Sequence, residues 1–252
     1  MQPFSRASPG YGIQSTGSAL KDPGVGAIIR IGKEEIATKT QRPVIEPPRR
    51  TVPEEVGNAV THGVGALAGI AGMILLLLKS DTGTKVLSSL VYGLCLILLF
   101  LMSCLYHSFR WGTRVKRLWR RFDYLSIYLL IGGTFTPFWL VYWGDRTGKI
   151  LCTVFWAVAL TGITLVAVFG PGRLRGLHMT LYVVLGWSAV VFLPDMVRNN
   201  LPLFLMTLGG GIAYTLGIIP FAMKKKGAHF IWHIFVLFGA VLHWFGIWLF
   251  LY

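Results

Sequence analysis

Five polar side chains, from three separate parts of an otherwise apolar sequence, have types and spacings suited to metal chemistry. His229 and His233 are four residues apart, so on a helix both imidazoles project from one side, one turn apart. Ser103 and His107 share that spacing, and Asp123 stands in a third segment. Three neutral imidazoles with one open position are typical of a catalytic zinc site, where the metal lowers the pKa of its bound water to ~7.

The histidine pair differs from that of soluble zinc proteases. Residues 230–232 are Phe, Ile and Trp, so no glutamate between the histidines supplies a general base. Asp123 is the acidic candidate, either as the base or as a group that orients a histidine. The alternatives stay open: the histidines can simply pack between helices, and Asp123 can pair with Arg120 or Arg121 at the membrane surface.

The composition indicates what kind of element holds these residues. Of 252 residues, 54% are hydrophobic and 13% charged, and the mean hydropathy is +0.62, whereas soluble domains carry about 25% charged residues. The net charge of +14 does not indicate nucleic-acid binding, because most basic residues lie between apolar runs or in the N-terminal segment. The three cysteines lie inside apolar runs without a CxxC pair, which argues against a disulfide framework.

Apolar stretches of about 20 residues, each long enough to cross a bilayer of ~30 Å, recur seven times after residue 55. The predicted spans are 57–78, 86–109, 122–143, 150–170, 177–194, 201–222 and 229–251. The sequence therefore predicts an all-α integral membrane protein, with a seven-transmembrane domain over residues 56–252. Residues 1–55 have no apolar run of helical length, and we expect a disordered N-terminal tail.

The distribution of Lys and Arg predicts the orientation. The second, fourth and sixth loops carry more basic residues than the first, third and fifth. We therefore expect a cytoplasmic N-terminus, a C-terminus outside, and a location in the plasma (inner) membrane. In this orientation His107, Asp123, His229 and His233 all lie near the cytoplasmic face.

Other candidate ligands fit the site less well. His62 and His178 lie at a plausible depth, but neither has a second histidine four residues away. His243 lies ten residues beyond His233, about 15 Å deeper along a helix rising 1.5 Å per residue. We interpret His243, His62 and His178 as polar groups packed between helices. Cys104 is an alternative fourth ligand, which would make the metal structural.

Four blocks of the sequence resemble the hemolysin III proteins and the related progestin and adipoQ receptors. Both groups are related to membrane hydrolases that include the alkaline ceramidases. The resemblance covers about residues 54–252, and its blocks are 54–63, 103–108, Asp123–Tyr124 with 132–137, and 229–243. The short loops look more like the bacterial hemolysin III branch than a hormone receptor.

The resemblance implies a ligand set and a reaction. His107, His229 and His233 would bind zinc, Asp123 would be the acidic residue near the zinc water, and Ser103 would be the accompanying hydroxyl. The implied reaction is hydrolysis of a lipid amide such as ceramide, with membrane lipids as partners. Two other hypotheses stay open: a seven-helix receptor with structural zinc, and a membrane-lytic protein.

Overall fold

The computed structural model describes residues 45–252, and these form a helical bundle in which no described residue is in a β-strand. Residues 1–44 of the predicted tail lie outside the described residues. The elements in chain order are α1 Val52–Lys79, α2 Gly83–Ser108, α3 Arg114–Pro137, a π-helical turn Phe138–Trp143, α4 Arg146–Phe169, α5 Arg175–Gly186, a 3₁₀ turn Trp187–Val191, α6 Leu193–Asn199, α7 Leu201–Ala222 and α8 Ala228–Phe250.

These elements make seven spans that are long and apolar enough to cross a membrane. The third consists of α3 and the π-helical turn, and the fifth of α5, the 3₁₀ turn and α6. Many large apolar side chains, Leu67 and Leu78 among them, are exposed on the outside of the bundle, where a bilayer would cover them. The predicted all-α, seven-span integral membrane fold is confirmed.

Polar residues define where the helices begin. Each of five helices is preceded by a residue whose side-chain oxygen accepts a hydrogen bond from a backbone amide three residues on, as N-caps do. These caps are Thr51, Thr82, Thr113, Asp145 and Asn200. α8 begins differently, after Gly227 in the left-handed conformation at φ 78°, which glycine adopts without steric cost.

The third span begins earlier than predicted, at Arg114 instead of residue 122. Hydropathy marks only the apolar part of a helix, whereas Lys and Arg are good helix formers and Thr113 caps the basic turns. Asp123 consequently lies well inside α3 and not at its start. α1 likewise begins at Val52, within the predicted tail.

Glycines allow α1 to pack closely on its neighbours. Gly65 faces the ring of Phe100 on α2, and Gly72 faces the indole of Trp244 on α8, so that a Cβ at either position would press on the aromatic ring. Small residues bring backbones together in this way in membrane helices. The first turn of α1 is thereby placed against both the end of α2 and the start of α8.

Pro137 changes the helix type, as its missing N–H requires. After this residue the chain continues as the π-helical turn, which is followed by Gly144 in the left-handed conformation. The preceding Thr136 hydroxyl donates to the Gly132 carbonyl and accepts from the Trp156 indole. α3 is thus tied to α4 near the proline, and the third span is the most enclosed of the seven.

Gly162 provides a test of the close packing between α3 and α4. A methyl group there would overlap the buried Tyr128 ring, so Gly162→Ala should destabilise the protein by about 1–3 kcal/mol. Gly211→Ala is the matched control, because its added Cβ meets open space and alanine is favoured over glycine in a helix. We expect a lower Tm in detergent only for Gly162→Ala; equal Tm values would contradict this packing.

Candidate metal centre

Three histidines converge at one end of the bundle. His107 lies in the last turn of α2, and His229 and His233 lie in the first two turns of α8. Each offers a ring nitrogen, and these atoms lie within 4.8 Å of one another. The four-residue spacing places His229 and His233 on one side of α8, as expected, and the triad is formed across two helices.

The burial and hydrogen bonding of the triad fit a metal ion. His107 and His233 are buried and His229 is half-buried. Within the described residues, His107 Nε2 and His233 Nδ1 are buried without a hydrogen-bond partner. Buried polar atoms are rarely left unpaired, and a metal ion bound at the usual ~2.0–2.1 Å from imidazole nitrogens would give both atoms a partner. The donor set suits zinc, and also iron, copper or nickel.

Two consecutive glutamates in the first turn of α1 reach both helices that carry the triad. One Glu55 carboxylate oxygen lies 2.6 Å from His107 Nδ1, and the other accepts from Lys116 Nζ at 2.8 Å. Glu54 accepts from the Gly227 backbone amide, immediately before α8, at 2.6 Å. The start of α1 is therefore bonded to the end of α2 and the start of α8.

A fourth histidine adjoins the triad. The rings of His62 and His233 are stacked with their centroids 3.7 Å apart, and both His62 nitrogens are buried without a hydrogen-bond partner in the described part of the chain. We expected His62 to be a polar packing group and not a part of the site. Its position was traceable in the sequence, because Glu55, Asn58 and His62 lie on one face of α1 at helical spacing.

Asp123 and Ser103 lie beside each other and face the same cavity as His229 and His233. In the described residues no basic side chain forms an ion pair with Asp123. The two expected alternative partners bond elsewhere: Arg120 donates to the Ile45 carbonyl and Arg121 to the Ala167 carbonyl. The carboxylate is therefore available at the wall of the cavity.

This cavity extends from the triad into the bundle. Its volume is about 150 Å³, roughly ten times the ~10–15 Å³ that one water requires. Its walls come from most of the spans and are mainly apolar, with residues such as Leu99, Ile127 and Val236. His243 lines the deeper part. The arrangement is a polar, metal-competent end joined to an apolar interior.

Arg50 brings a positive charge to the polar end. It lies in the short segment before α1, lines the cavity with Pro48, and has one buried guanidinium nitrogen without a hydrogen-bond partner within residues 45–252. The same segment is attached to the bundle through Glu46, which pairs with Arg117, and through the Pro47 carbonyl, which accepts from Trp111. Sequence reasoning missed Arg50 because it stands in a polar run without apolar periodicity.

The remaining candidates lie outside the triad. Cys104, the alternative fourth ligand, packs its sulfur near Gly63 and does not join the cluster. His178 accepts or donates a hydrogen bond with Tyr128 at 2.9 Å, and His243 bonds with the Thr207 carbonyl at 3.1 Å. Both behave as the packing groups that we expected.

Sequence comparisons identify the known proteins that this chain resembles. A family sequence model described as "Haemolysin-III related" matches residues 50–244. "Hemolysin-3" of Bacillus cereus is 36% identical over 199 residues, which cover 77% of this chain and 90% of that protein. The human "Monocyte to macrophage differentiation factor" is 28% identical over 209 residues, covering 79% and 85% of the two chains.

A more distant match is the "Adiponectin receptor protein" of Drosophila melanogaster, 26% identical over 226 residues that cover 77% of this chain and 50% of that protein. The resemblance inferred from the four sequence blocks is confirmed. Because the family match covers most of the chain, and the Bacillus cereus relative exceeds 30% identity over most of both sequences, this protein belongs to the haemolysin-III related family.

Proposed function

We propose that this protein is a zinc-dependent membrane hydrolase of lipid amides. The observation that carries the proposal is the convergence of three imidazoles, a carboxylate that has no ion-pair partner within residues 45–252 and a hydroxyl at the polar end of one apolar cavity. His107, His229 and His233 are the zinc ligands, and Asp123 and Ser103 are the catalytic residues. When bound, zinc supplies a Lewis acid that activates water at neutral pH.

The protein's own side chains then transfer the protons and stabilise the developing negative charge. Asp123 accepts a proton from the water that attacks the amide carbonyl, and delivers it to the amide nitrogen as the leaving group departs. Ser103 donates a hydrogen bond to the carbonyl oxygen, where negative charge develops. A C–O bond forms and the C–N bond breaks, and the products are a fatty acid and an amine.

The shape of the cavity supports a lipid substrate. Its apolar walls can take a hydrocarbon chain while the amide stays beside the triad, as in ceramide-like molecules. The surrounding bundle is embedded in lipid, so such a substrate is at high local concentration. We further propose that the protein lies in the plasma membrane and that the triad end of the bundle faces the cytoplasm. This orientation is favoured because the most basic loops and the basic start of α3 lie at the triad end.

A receptor function is the second candidate. It is favoured by the matched relative named "Adiponectin receptor protein", and in it the metal would brace α2 and α8 without turnover. Saturable binding of a lipid, with no release of amine in the same preparation, would favour the receptor over the hydrolase.

The metal content of detergent-purified protein tests the triad. We expect about one zinc ion per chain, lost in His107→Ala and His233→Ala because two imidazoles bind far more weakly than three. His178→Ala is the matched control, since this buried histidine bonds to Tyr128 and lies outside the triad. Metal content measured by mass spectrometry should be unchanged in the control; a metal-free wild type, prepared without chelators, would refute the site.

Asp123→Asn tests the proposed base. The amide has nearly the same shape but cannot take up the proton, so hydrolysis of a short-chain fluorescent ceramide should fall at least 10²-fold, the usual contribution of a general base. Zinc content should stay at the wild-type level. Asp81→Asn, in the exposed connection between α1 and α2, should retain full activity; equal turnover in all three proteins would remove Asp123 from the mechanism.

A further inference from the structure

We propose that Glu55, held in place by Lys116, is the residue that positions His107 for metal binding. This inference rests on the metal-binding part of the proposed function and concerns a carboxylate outside the ligand set. It makes the start of α1 a component of the metal centre, although α1 contributes none of the three ligands.

The first step concerns the two nitrogens of His107. Nδ1 lies 2.6 Å from a Glu55 carboxylate oxygen, and an ionised carboxylate can only accept. Nδ1 therefore carries the hydrogen, and the lone pair is left on Nε2. That nitrogen is the buried atom without a partner in residues 45–252. A carboxylate that binds the far nitrogen of a ligating histidine in this way fixes the tautomer and the ring orientation.

The second step concerns the support of Glu55 itself. Its other oxygen accepts from Lys116 Nζ at 2.8 Å, and the Lys116 side chain is fully buried. The ammonium also lies 4.6 Å from the centroid of the Tyr106 ring, within the range of a cation–π contact. A buried lysine with these two partners has little conformational freedom. Lys116 on α3 therefore fixes the position of the Glu55 carboxylate, and this carboxylate in turn orients the imidazole of His107 on α2.

The third step distinguishes Glu55 from its neighbour. Glu54 belongs to the same helical turn and completes a capping box with Thr51. Its carboxylate accepts from the Gly227 amide, and within residues 45–252 it has no hydrogen bond to a triad ring. A glutamine at 54 keeps an oxygen for that amide. A glutamine at 55 instead offers one oxygen and one NH₂ group, and its NH₂ group would face either the imidazole N–H or the ammonium.

The test is the zinc affinity of the full chain in detergent, measured by competition with a chromophoric chelator. We expect Glu55→Gln to weaken binding 10–100-fold, the usual effect of removing such a partner, and Glu54→Gln to stay within a few-fold of wild type. The absorption spectrum of bound Co²⁺ should change in Glu55→Gln alone, because it reports the ligand field and not the stability of α1. Wild-type affinity in Glu55→Gln, or equal losses in both variants, would overturn the proposal.

Lys116→Met is a second test, and it removes the support of Glu55 without removing the carboxylate that contacts His107. It should weaken zinc binding in the same direction, whereas Arg117→Met, which removes the neighbouring pair with Glu46, should not. In the double variant Glu55→Gln/Lys116→Met the losses should be less than additive, because the ammonium no longer opposes the glutamine NH₂ group. Strict additivity would overturn the role of Lys116. A wild type that binds no zinc would defeat the proposed function as well, whereas a zinc-binding wild type with unaffected variants would defeat this inference alone.

Discussion

The close approach of α1 to α2 and α8 is the constraint on which the surroundings of the histidine triad depend. Gly65 and Gly72 let the helix pack against Phe100 and Trp244, and this packing sets the position of the helix start. Replacing either glycine with a larger residue would push the helices apart. The hydrogen bonds of Glu54 and Glu55 would then be lost, because each requires its two atoms to lie within hydrogen-bond distance. Apolar packing deep in the bundle thus determines where Glu54 and Glu55 lie relative to the triad at the end of the bundle.

The site also shows how charges are accommodated in an apolar bundle. Charged groups within a membrane protein are costly unless they are paired or reach an aqueous cavity. Glu55 and Lys116 satisfy each other, and the imidazole of His107 shares the same carboxylate. Asp123 and Arg50 instead face the cavity. Within residues 45–252, the charges of Glu55 and Lys116 are thus paired with each other, whereas Asp123 and Arg50 line the cavity, where a substrate can reach them.

The sequence was sufficient to predict the seven spans and the grouping of His107, His229 and His233. Hydrophobic length and the i, i+4 spacing are local properties, and the alternation of spans places both histidine segments at one membrane level. The contribution of α1 could not be predicted in the same way. Glu55 precedes the apolar run, and its pairing with Lys116 depends on α3 extending eight residues beyond its hydropathy signal. His62 was assigned to packing because no second histidine lies four residues from it, although the same face of α1 carries Glu55 and Asn58 at helical spacing.

The bond between Glu54 and Gly227 joins residues 173 positions apart, and this separation affects the order in which the site can form. A ribosome delivers the chain from its N-terminus, so α1, α2 and α3 enter the membrane while α8 is still being synthesised. Until then a nascent chain holds one ligating imidazole of the triad, that of His107. A metal ion bound by the triad would therefore have to be captured after the insertion of the seventh span, because a chain that lacks this span also lacks the chelating pair of His229 and His233.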